Sequence, residues 1–240
     1  MNYSEDFRKF FKSMSTMSGH RVDQMVDASL TPYILEERQM RATQLDIFSR
    51  LMMDRIIWIA GAIDDNVSTV VQAQLLYLEN VDRTADVTMH LDTPGGSVKS
   101  GLSVVDMMEY VNYDVKTINT GMCASMGSVL LGAGTPGKRG SLNYSKVMIH
   151  QVSHGSQGNI QDTRINQKEA EKYNFILFKK LGQYMNMGWK EVIDLAKHDV
   201  WLDSSESLEI GIIDTVVSRS GKNMSDMMTG FDEYRKIMDV

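Results

Sequence analysis

Asp86-Val87-Thr88-Met89-His90-Leu91-Asp92-Thr93-Pro94-Gly95-Gly96, with Val98–Val111 just beyond it, decides the fold. Asp86–Leu91 reads as a strand. It ends in the turn signal Asp92-Thr93-Pro94-Gly95-Gly96, and a helix follows. The same alternation extends in both directions. Upstream, Thr43–Asp54 carries Leu45, Ile47, Phe48, Leu51 and Met52 at helical spacing. Arg55–Ala60 is a short apolar run that reads as a buried strand, and Asp65–Val81 reads as a helix. Downstream, Val115–Asn119 is strand-like, Ser125–Gly132 is a small apolar helix, and Val147–His150 is again strand-like. A long polar-rich helix is expected over Asn159–Met185, a short one over Trp189–Ala196, and a closing strand over Ile210–Val217. Strands that alternate with helices at least four times argue α/β with a largely parallel sheet.

The chain has 240 residues, enough for one sizeable core, and there are no internal repeats. Residues 1–30 have weak periodicity and read as an extension, flexible or a pro-segment; 31–219 read as the domain and 220–240 as a tail ending in a short helix around Phe231, Tyr234, Ile237 and Met238. The net charge of −6 argues against nucleic acid and against an anionic membrane as partners. The single cysteine, Cys123, cannot form an internal disulfide, and no apolar run approaches a membrane span. A cytoplasmic protein is expected.

Two glycine-rich stretches follow candidate strands, where open α/β sheets bind ligands. In Pro94-Gly95-Gly96 the paired glycines leave backbone N–H groups unshielded, which suits an oxyanion hole as well as a tight turn. In Gly121-Met122-Cys123-Ala124-Ser125-Met126-Gly127, a serine flanked by small residues opens an apolar helix. That position suits a nucleophile, and equally a helix N-cap. Cys123, two residues earlier, reads as a small buried hydrophobe. Of the five histidines, His150 ends an apolar strand and so falls where a catalytic base is expected; spacing does not exclude His90 or His198. Gly132–Arg139 resembles a phosphate-binding loop, but Arg139 replaces the required hydroxyl and the segment follows a helix instead of opening one. It reads as a basic turn. No Cys/His cluster points to a metal.

These motifs, in this order, resemble the proteolytic-subunit family of the Clp protease, of the crotonase-like superfold. The stretches that carry the resemblance lie between Leu30 and Arg219: Pro32–Glu37, Asp46–Arg55, Gln72–Leu78, Pro94–Val98, Gly121–Ser128, Gly137–Arg139, Val147–Gln151 and Glu209–Val216. The first two are most like family members from Bacteroides-type bacteria. The resemblance implies mostly parallel, repeated β-β-α units with a protruding handle strand and helix, matched by Gly155–Met185. It implies a serine endopeptidase with Ser125 as nucleophile, His150 as general base and Asp199 as the orienting carboxylate. Gly96 and Met126 fall on the oxyanion-hole donors. It further implies two stacked heptameric rings (a tetradecamer) that enclose a chamber, fed with unfolded protein by a Clp-class AAA+ ATPase. ATP would belong to that partner, and no cofactor is expected on this chain.

Several positions depart from the family pattern. Asp92-Thr93 replaces Asn-Ser before Pro-Gly-Gly, Val152 stands where proline usually follows His-Gln, and His198 replaces an arginine that supports ring–ring contacts. Thr88 and His90 replace tyrosines of the ATPase-docking pocket, and Gln39–Gln44 matches the axial loop poorly. These departures raise an alternative: a divergent second paralogue, inactive alone, that acts as a structural subunit in a mixed ring with another Clp proteolytic subunit. A crotonase-type acyl-CoA enzyme is a further alternative within the same superfold.

Overall fold

The computed structural model describes residues 33–38, 41–153, 155, 158–218 and 224–238, with side chains from residue 45 onward. The extension assigned to residues 1–30 lies outside them.

Tyr33–Arg38 (β1) pairs antiparallel with Arg41–Asp46 (β2), and Ile47–Met53 forms helix α1. The helix expected from Thr43 therefore begins four residues later. Asp46 is the reason: its carboxylate accepts from the Ser49 N–H at 2.9 Å, capping the helix there. Ile56–Ala60 (β3) is followed by Asp65–Val81 (α2), Val87–Thr93 (β4), Val98–Tyr110 (α3) and Val115–Ala124 (β5). Met126–Gly132 (α4) leads to Arg139–Leu142 (β6) and Lys146–Ile149 (β7). Then come Ile160–Tyr184 (α5), Trp189–Leu195 (α6), Val200–Leu202 (β8), Ser204–Glu209 (α7) and Thr215–Val217 (β9). The tail carries Met224–Met227 (α8) and Phe231–Met238 (α9), both without buried residues.

The seven-stranded sheet runs β3-β4-β5-β6-β9, with β7 also on β5 and β8 beyond β7. Every pairing in it is parallel except β7–β8. Period-2 alternation sorts the faces. Ile57, Ile59, Val87, Met89 and Leu91 are buried under α2, α3 and α4, whereas Trp58 and His90 point to the other side and stack at 5.0 Å. Each such Ile, Leu or Met stabilises the fold by about 1.5–3 kcal/mol.

Three strands depart from expectation. Arg139 is not part of a basic turn: it opens β6 and is buried against Asp214. The strand expected over Ile210–Val217 shrinks to β9, because Gly211 turns the chain at φ 78° after α7. Strand β8 also went unread. The handle helix is present as α5. The handle strand expected from Gly155 falls partly on residues 156 and 157, outside the described residues; Gly155 itself is not in a strand.

Candidate active site

Strand β5 changes partner along its length, and this builds the site. Its first half pairs with β6, its second half with β7 through Met122↔Lys146, Cys123↔Val147 and Ala124↔Met148. The Ser125 N–H then donates to the Met148 carbonyl at 2.9 Å. His150 lies two residues beyond Met148, and its Nε2 sits 2.8 Å from Ser125 Oγ. Strand β8 runs antiparallel to β7 with Ile149↔Val200, so the residue before Val200 lies beside the residue after Ile149. That residue is Asp199, whose Oδ1 is 3.7 Å from His150 Nδ1. Three residues far apart in sequence meet because three adjacent strand ends meet.

Ser125 occupies the N-cap position of α4, yet its side chain makes no capping hydrogen bond. Its backbone is held at φ 55°, ψ −121°, a conformation that costs a non-glycine residue on the order of 1–3 kcal/mol. The hydroxyl is thereby turned from the helix to the imidazole. Of the two roles open to this serine from sequence, cap and nucleophile, the geometry favours the second.

Gly96 forms a parallel bridge with Ile63: the Ile63 N–H donates to the Gly95 carbonyl at 2.8 Å, and the Ser97 N–H to the Ile63 carbonyl at 2.8 Å. A trans peptide points its C=O and N–H in opposite directions. Because the Gly95 carbonyl is committed to Ile63, the Gly96 N–H points away from Ile63, and Gly96 lines the same cleft as Ser125. The Met126 N–H opens α4, where no intrahelical acceptor exists. A Cβ on Gly95 would lie 2.7 Å from Ser125 Cβ and 2.9 Å from Met126 N, so only glycine permits this approach. The cleft holds a cavity of about 220 Å³, walled by Val98, Val129, Met148, Leu177 and Leu181.

The carboxylate is the loosest element. Asp199 is 64 % exposed, and 3.7 Å exceeds hydrogen-bonding distance. It attracts an imidazolium at His150 but does not fix its tautomer at this separation.

The remaining candidates fall elsewhere. Cys123 is fully buried with Sγ 4.0 Å from the Leu91 carbonyl; burial, then the Asp92 charge, pushes its thiol well above the usual range. His90 packs on Trp58, and burial lowers its pKa. His198 precedes Asp199 in the short link between α6 and β8. His20 and His154 lie outside the described residues. Gly132–Arg139 leads from a helix into a strand, opposite to a phosphate-binding loop. Two contributors were not legible as such. Thr93 appeared only as a departure, and Asn174 gave no signal, although its side chain receives the Val152 N–H at 2.9 Å beside the site.

A parallel sheet with a Ser–His pair at its strand ends and a nearby Asp defines a serine peptidase. Residues 38–220 match the family model described as Clp protease. The chain is 43% identical to the ATP-dependent Clp protease proteolytic subunit of Bacteroides thetaiotaomicron over 89% of this chain and 98% of that one. It is 47% identical to one from Bacteroides fragilis over 78% and 91%, and 40% identical to that of Porphyromonas gingivalis over 90% and 99%. The chain belongs to the Clp protease family.

Proposed function

We propose that this chain is the proteolytic subunit of an ATP-dependent Clp protease, a serine endopeptidase acting on unfolded polypeptides. The observation that carries the chemistry is the Ser125 hydroxyl, which forgoes capping α4 and bonds His150 Nε2 at 2.8 Å. His150 takes the hydroxyl proton as Ser125 Oγ attacks a peptide carbonyl. The oxyanion is met by the Gly96 and Met126 N–H groups, and loss of one such donor typically costs about 10²–10³ in rate. His150 then returns the proton to the leaving amine, and water hydrolyses the acyl-enzyme. Asp199, 3.7 Å from Nδ1, stabilises the imidazolium through its charge.

The relatives, named as ATP-dependent proteolytic subunits, support a Clp ATPase as partner and an active peptidase over a subunit inactive alone. We further read the domain as residues 31–219, between an extension and a tail, assembled into stacked heptameric rings in the cytoplasm. ATP is used by the partner, and the chain carries no cofactor. Exposed apolar residues on α5, Ile160 and Ile165 among them, support a role for that helix in assembly. A second type of subunit in the ring stays a reading to test, supported only by the departures at Thr88, His90 and His198.

Fluorophosphonate labelling with intact-mass readout tests the chemistry. One adduct is expected on the wild type and none on Ser125→Ala. Equal labelling of both would overturn the assignment, and turnover of a CoA thioester would point to the acyl-CoA alternative.

A further inference from the structure

We propose that Thr93 is a positioning residue for the oxyanion hole, its hydroxyl holding the Gly95–Gly96 backbone in the productive orientation. This rests on the peptidase reading above. Thr93 is fully buried at the end of β4. Its Oγ1 donates to the Gly61 carbonyl at 2.6 Å and accepts the Gly95 N–H at 3.0 Å. The two bonds form a relay, Gly95 N–H to hydroxyl to carbonyl, in which each bond polarises the next. Gly61 lies just past β3, and the relay ties the turn to that strand's end.

The consequence for the Gly96 N–H is geometric. Gly95 has its N–H fixed by Thr93 and its C=O fixed by Ile63. Both peptide planes flanking Gly95 are thus pinned, although glycine at φ 91° and φ 152° has more backbone freedom than any other residue. Without the relay, the bond from Ile63 to the Gly95 carbonyl is left as the single restraint on a glycine pair, and any rotation about Gly95 that breaks it carries the Gly96 N–H away or brings a carbonyl where an oxyanion must form. The other end of Thr93 reaches the nucleophile's own helix: a Cβ on Gly127 would lie 2.7 Å from Thr93 Cγ2. Thr93 also pairs with Cys123 on β5, two residues before Ser125, across a register shift that follows Leu91. One side chain therefore references the donor turn to both the β3 exit and the start of α4.

The hydroxyl and the methyl are separable. Thr93→Val keeps the shape and strands the Gly95 N–H, whereas Thr93→Ser keeps the relay and loses the contact to Gly127. For hydrolysis of a fluorogenic peptide, Thr93→Val is expected to lower kcat about 10²-fold with KM unchanged, the scale of a misplaced oxyanion donor. Thr93→Ser is expected to restore most of kcat. Wild-type kcat in Thr93→Val, an equal loss in Thr93→Ser, or a loss confined to KM would each overturn the role. Hydrogen exchange of the wild type at single-residue resolution needs no variant to fold and no turnover. The Gly95 amide should already be protected in the free protein, and a peptide boronate on Ser125 should newly protect Gly96 and Met126 while leaving Gly95 unchanged. A Gly95 amide that exchanges freely in the free protein overturns the proposal. A wild type that takes no fluorophosphonate at Ser125 overturns the peptidase reading instead, and the exchange of Gly95 still decides for Thr93.

Discussion

At the scale of single residues, the site depends on close approaches that leave no room for change. Gly95 lacks a side chain because one would lie under 3 Å from the Ala124 carbonyl oxygen, Ser125 Cβ and Met126 N. Gly95→Ala should reduce peptide hydrolysis by about 10²-fold or more, since it displaces a donor and the nucleophile together. Gly61 offers the contrast: it also has positive φ, 79°, but nothing lies within 4 Å of where its Cβ would be. Gly61→Ala should lose only about 1 kcal/mol in denaturant unfolding and reduce hydrolysis far less than Gly95→Ala. Asp199 makes a graded prediction. Where the triad carboxylate is buried, its conversion to Asn costs roughly 10⁴ in kcat. Here it is largely exposed and 3.7 Å from Nδ1, so Asp199→Asn should cost less, on the order of 10²-fold in steady-state kcat. A full 10⁴-fold loss would mean that the carboxylate closes tightly on His150 in the working enzyme.

At the scale of elements, the sheet's far edge is held by one ion pair. Arg139 at the start of β6 donates through Nε at 2.9 Å and a terminal nitrogen at 2.6 Å to Asp214, just before β9, and also reaches the Tyr184 carbonyl at the end of α5. Burial alone would raise the Asp214 carboxyl, but the hydrogen bonds and charge of Arg139 outweigh it and hold it below the usual range. A depressed carboxylate adds stability that is complete above its unfolded value, near 3.9, and is lost as pH falls through the lower folded value. Asp214→Asn should lower stability by about 3 kcal/mol at pH 7, as for breaking a buried pair. The gap to wild type should narrow below about pH 4, read as denaturant midpoints across pH. This pair also shows where the sequence stops being legible. Strand β3 is a short apolar run, β4 alternates apolar and polar, and α2 and α3 carry caps and apolar stripes, so their positions follow from pattern. Strand β6 reads Arg-Gly-Ser-Leu, and β8 has three residues; neither has a period, and both exist only because neighbours supply partners. The site was legible to the same degree. Ser125 and His150 stand at ends of readable strands, but Asp199 reaches them through β8, and only the family likeness pointed to it.

At the scale of the whole molecule, the chain leaves large apolar side chains exposed. Trp58 is 42 % exposed on the sheet face opposite the core, and α5 exposes Ile160, Ile165 and Phe175 along a 25-residue helix with few buried positions. A long helix that buries only Leu177, Phe178, Leu181 and Gly182, all near its C-terminal end, projects its first turns away from its own core. Such a helix is stable when another surface covers it, because isolated propensity is marginal even at favourable lengths. If α5 joins two rings, a charge at Ile165 must be desolvated in the joined particle but not in a single ring. Ile165→Asp should therefore convert the two-ring particle to single rings in native mass spectrometry, with the monomer's unfolding temperature little changed because the side chain is exposed in one chain. Since His150 directly follows β7, and Asn174 of α5 holds the Val152 N–H two residues beyond it, the separated rings should also hydrolyse peptide more slowly than the wild type. Single rings with undiminished kcat would show that α5 assembles the particle without tuning the Ser125–His150 pair; an intact two-ring particle in Ile165→Asp would place the ring contact elsewhere on the chain.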